Sequence, residues 1–161
     1  MESPVGAIVT FGLLWAGILL LLALVSYTPN DVPAWVKFVS KTSQPNDPTH
    51  NLVGVLGAII AAFHYFLLGA ASYLVAVGLC WFGLSRFVAK IPLNQQTIGG
   101  LAIFILAGAS LAHSQSVFFQ DWAETMNIKP GGAVGALFGG ALKKLVGGFA
   151  AQVVLLPAYL V

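Results

Sequence analysis

The sequence predicts an all-α integral membrane protein, with four transmembrane helices plus short apolar interfacial or re-entrant helices. Three observations carry this. From Leu52 to Leu84 the chain runs 33 residues without an Asp, Glu, Lys or Arg, longer than a helix of a small soluble domain stays wholly apolar. Val5 to Ser26 forms a second such run, where a spanning helix needs about 20 apolar residues at about 1.5 Å each. The composition, 58% hydrophobic and 7% charged, is far from a soluble domain, in which about a quarter of residues are charged.

The first span is expected at about residues 5–26. It is not read as a cleaved signal, because no Lys or Arg precedes it and its apolar core exceeds the usual length of about 7–15 residues. Pro29, Pro33, Pro45 and Pro48 then prevent a continuous helix, so residues 27–51 read as an aqueous loop, with Tyr27 and Trp35 suited to the headgroup region. As one straight helix the 33-residue run would measure about 50 Å, against a hydrocarbon core of about 30 Å. It is therefore divided into a short helix at about 52–65 and a true span at about 66–84. In the short helix Gly54, Ala58 and Ala62 fall at the four-residue spacing that lets backbones approach in lipid.

A basic turn at Arg86, Lys90 and Pro92 leads to a third span at about 96–112. In residues 115–126, Phe118, Trp122 and Met126 share one helical face and Gln120, Asp121 and Glu124 another, an interfacial amphipathic pattern. Residues 130–142 are too short to span. Their Gly131, Gly135 and Gly139 form a small-residue ridge suited to helix contact. Lys143 and Lys144 interrupt before a last span at about 145–161. Each half thus reads as long helix, short glycine-rich helix, long helix. The chain starts at a methionine, which reads as a genuine start, whereas AAQVVLLPAYLV stops while still apolar, so a continuation is expected. Charge leaves orientation open. Four spans put only Arg86 and Lys90 on the side of the termini and Lys37, Lys41, Lys129, Lys143 and Lys144 opposite, the reverse of the positive-inside pattern if the termini are inside.

Chemistry is sparse. His50, His64 and His113 stand apart with no HExxH or CxxC, and no GxxxxGK[ST] phosphate cradle occurs, so neither metal nor other cofactor is expected. A net charge of +2 is too small to argue for nucleic acid. The lone Cys80 sits in an apolar run as a small packed hydrophobe. Ser110 and His113 share a helical face but lack the further groups a nucleophilic centre needs. His64 is the one ionisable group placed to reach membrane depth. A channel or transporter subunit built on the same helices would route a polar path through His64, Ser110 and Gln152.

Two stretches, LVSYTPNDVPAW and HNLVGVLGAIIAAFHYFLLGAASYLVAV, resemble the N-terminal four-helix membrane domain of the FtsK/SpoIIIE family of septal DNA translocases. The first span ends in the family's pattern at Ser26, Tyr27, Pro29, Asp31, Pro33, Ala34 and Trp35. The second helix opens with it at Asn51, Gly54, Gly57 and Ala58, and continues through Phe66, Gly69, Ala71 and Tyr73. Val32 departs from the pattern by separating Asp31 from Pro33, and Ala62 stands where the family often has Asp.

The resemblance implies an inner-membrane anchor with a cytoplasmic N-terminus and both polar loops outside. It further implies a place at the division septum, hexameric assembly, contacts with division-site membrane proteins, and an ATP-driven DNA motor outside these 161 residues. The fragment itself is then expected to be non-enzymatic and to bind no nucleic acid. Its partners are membrane lipid, copies of itself and division proteins. Gly54, Gly57, Ala58, Gly131, Gly135 and Gly139 are the candidate helix contacts.

Overall fold

A computed structural model describes residues 4–89 and 94–156. The described residues form helices α1 (Pro4–Val25), α2 (Gly54–Leu68), α3 (Ser72–Ala89), α4 (Gln95–Ser114), α5 (Gln120–Met126), α6 (Gly132–Val146) and α7 (Gly148–Leu155), with short 3₁₀ turns between them and no strand. Three stretches among them are long and apolar enough to cross a bilayer: Gly6–Val25, the α2–α3 unit Gly54–Ala89, and Gln95–Ser114.

α1 and α3 pair antiparallel. A β-carbon at Gly17 would lie 2.6 Å from Cys80 Sγ, and one at Gly83 would lie 2.8 Å from Leu14 Cβ. These two glycines let the backbones close on each other where lipid supplies no hydrophobic drive and van der Waals contact must hold the pair. At the far end of α3 the Arg86 Nε donates to Thr10 Oγ1 at 3.1 Å, and Phe11 and Phe87 meet edge to face at 5.7 Å. The Arg86 guanidinium is thus tied to α1 by the hydroxyl of Thr10, which is buried.

The long apolar run breaks at Gly69, several residues later than the division at 65/66 expected from length. Gly69 has φ +58°, a region closed to most side chains. Tyr65 lies inside α2 and fully buried, and the spanning part α3 covers 72–89 in place of 66–84. α2 lies across the end of α1 and not alongside it. Asn51, just before α2, and Tyr65, near its far end, both bond to the same α1 turn, at Ala23 and Leu24.

The second half repeats this plan: α4 spans, and α6 lies across its last turns. Both Gly131 and Gly135 approach the Ala109 carbonyl, while Gly139 meets Ser110. α6 extends to Val146, past the expected 142, and α7 begins at Gly148. Of the span expected at 145–161, residues 157–161 lie outside the described residues, as does Lys90 of the basic turn. The segment expected to be amphipathic forms a 3₁₀ turn, Ser116–Phe119, followed by α5.

The halves meet where α2 ends and α6 begins. A β-carbon on Gly69 would run into the Pro130 carbonyl and one on Gly132 into the Leu67 carbonyl, and Ala70 N donates to Pro130 O at 2.8 Å. The loop after α1 folds back over the junction and buries Val32 and Val39 in one cluster with Leu24, Tyr27, Ala58 and Tyr65. Facing water, this layer gains about 1.5–3 kcal/mol from each fully buried aliphatic side chain.

Candidate functional site

The residues with which the first span ends assemble into one capping node. The last carbonyls of any helix lack intrahelical donors, and near lipid an unmet carbonyl costs several kcal/mol. The sequence meets this for α1 with later residues. Leu22 O accepts from Ser26 N and, at 2.6 Å, from Ser26 Oγ, which in turn accepts from Leu52 N at 2.9 Å. Ala23 O accepts from Asn51 Nδ2 at 2.8 Å, and Asn51 Oδ1 accepts from Val53 N at 3.0 Å. Leu24 O accepts from the Tyr65 hydroxyl at 2.9 Å. The hydroxyls of Tyr65 and Tyr73 lie 2.8 Å apart. With the Tyr65 proton committed to Leu24, Tyr73 is the donor of that pair.

Tyr65 is also the hub of an aromatic cluster, with ring centroids 5.1 Å from Tyr27, 6.1 Å from Tyr73 and 5.6 Å from Trp122. Tilted and edge-to-face rings at these separations add about 0.5–1.5 kcal/mol per pair beyond their buried area. Burial, with the Asp31 charge adding to it, pushes the Tyr27 hydroxyl up to about 12.

Asp31 closes the node on the water side. Pro29 opens its 3₁₀ turn with φ preset, and the carboxylate is 1% exposed. Asp31 Oδ1 accepts from Asn46 Nδ2 at 2.9 Å and from His50 N at 3.0 Å, joining both ends of the loop. Burial alone would raise this carboxyl, but the bonds from Asn46 and His50, with the His50 charge, outweigh it and hold Asp31 below the usual carboxylate value. Pro33 follows Val32, which the fold uses as a fully buried plug, while Trp35 is 74% exposed.

The glycine candidates fall into different roles. Gly131, Gly135 and Gly139 form the seam between α6 and α4. Gly57 instead faces Asn51 and Val53 at the start of its own helix, and Gly54 meets nothing within 4 Å and has φ +71°. Gly54 lets the chain turn into α2. Ala58 is fully buried on the inner face of α2. Sequence reasoning passed over Tyr65, the residue with most connections. Its signal was a hydroxyl inside an otherwise apolar run.

His64 Nδ1 is 2.9 Å from Ile60 O of its own helix, Ser110 lies sealed under Gly139, and the Gln152 side chain lies outside the described residues. Among the described residues no three His, Cys, Asp or Glu side chains group as a metal site. No solved structure matches the chain. Residues 5–161 match the family model for the 4TM region of DNA translocase FtsK/SpoIIIE. With spanning-grade helices and a node built from the residues that carried the likeness, the chain belongs to the family of FtsK/SpoIIIE transmembrane regions.

Proposed function

We propose that this domain anchors an ATP-driven DNA translocase in the inner membrane at the division septum, for chromosome segregation during cell division. The family match over residues 5–161 carries this reading. The domain acts by packing and placement, and the motor's chemistry belongs to other parts of the full-length protein. Both termini and the Arg86 turn face the cytoplasm, and the loops around Asp31 and Trp122 face outward toward division-site membrane proteins. Copies of the domain assemble beneath a hexameric motor.

A fluorescent fusion of residues 1–161 tests the reading. It should collect at the septum, and the purified fragment should bind neither ATP nor duplex DNA. An even distribution around the envelope would refute targeting, and ATP hydrolysis by the fragment would refute the anchor assignment.

A further inference from the structure

A groove of about 670 Å³ opens between the two loops on the α2 side of the domain. This is within the range of small-molecule sites, about 300–1,000 Å³. Its wall includes Tyr27, two residues beyond the apolar stretch that ends at Val25, so the groove sits at headgroup depth. One side is apolar, with Phe38 and Phe66 meeting edge to face at 4.5 Å. Lys41 and Lys129 also line the groove. Both ammonium groups are exposed, and among the described residues neither has a hydrogen bond or ion pair. Glu124, the acid on the same rim, accepts from Gln120 Nε2 at 2.9 Å and keeps its charge, so the two lysines still leave the rim net positive.

We infer that this groove binds one anionic phospholipid of the adjoining leaflet, its phosphate between Lys41 and Lys129 and an acyl chain along Phe38 and Phe66. Two unpaired cations beside an apolar trough match the two ends of such a lipid. A zwitterionic lipid would bring its own cation to a rim already positive. The inference goes beyond anchoring and requires only that the chain lie in a bilayer, so it stands whether or not the septum is the destination.

The test is native mass spectrometry of the delipidated 161-residue chain in neutral detergent, titrated with phosphatidylglycerol, phosphatidylethanolamine or glycerol 1-phosphate. One phosphatidylglycerol should be retained in preference to phosphatidylethanolamine. The double variant K41A/K129A should weaken retention, by about fivefold for each lysine near a lipid surface. The variant K143A/K144A removes the same charge outside the groove and should leave retention unchanged. Equal retention of both lipids, or equal loss in both double variants, would overturn the site. Competition by glycerol 1-phosphate at the same concentration would overturn the lipid as its occupant, as would lipid-free dimerisation abolished by K41A/K129A.

Discussion

The Tyr65 hydroxyl reaches across 41 positions of sequence to bond the Leu24 carbonyl at 2.9 Å, so a side chain of the second helix finishes the end of the first. Tyr65→Phe removes this donor and leaves the carbonyl with the weaker 3.3 Å contact to Tyr27 N. A loss of about 1–3 kcal/mol is expected for the buried group left short of a partner. Thermal unfolding in detergent should show it, with Tyr73→Phe costing less because Tyr73 donates only to another hydroxyl. Equal stability of Tyr65→Phe and the parent would deny the node its role.

The seam between α4 and α6 makes a second, sharper contrast. Gly135→Ala places a methyl group against the Ala109 carbonyl and should cost about 1–3 kcal/mol through overpacking. Gly140→Ala, on the same helix with nothing within 4 Å, should be neutral or slightly stabilising, since alanine is the better helix former. Parallel melting curves distinguish close packing from general intolerance of α6.

Acid should unfasten the loop that follows α1. Because the Asp31 carboxyl is held below its ordinary value, near 3.9 when unfolded, its contribution is present above about pH 4. It is lost as pH falls through the folded-state value. Asp31→Asn should lower the melting temperature at neutral pH and flatten the acid limb of a pH–stability curve. At the alkaline end, Tyr27 rises to about 12 from an unfolded value near 10, so stability should fall above about pH 10. That fall should be smaller in Tyr27→Phe.

Orientation is open to a direct measurement. In a Cys80→Ala background, Ser43→Cys should react with an impermeant maleimide from outside the cell, and Ser85→Cys only after the membrane is permeabilised. The reverse pattern would restore the arrangement that the lysine count favours.

Three apolar stretches were legible as helices long enough to cross a bilayer because some twenty apolar residues in a row admit few other fates, and the Gly131, Gly135, Gly139 spacing because it is the contact itself. Gly54 and Gly57 were misleading. Gly54 shares its spacing with Ala58 and Ala62 and Gly57 came with the family pattern, but one serves a backbone turn and the other its own helix start. The break at Gly69 could not be placed from length, since what fixes it is the carbonyl of Pro130, far along the chain. The Tyr65 hydroxyl stood out in its apolar run, but its partner did not, because a main-chain oxygen leaves no trace in residue identity.

The cap on α1 also has a consequence for biogenesis. Asn51, Leu52 and Tyr65, which complete the bonding at the end of α1 directly or through Ser26, are all synthesised after it. Until they arrive, Ala23 O lacks its donor from Asn51 and Leu24 O its donor from Tyr65. The end of the first span is therefore finished only when the second apolar segment has been delivered.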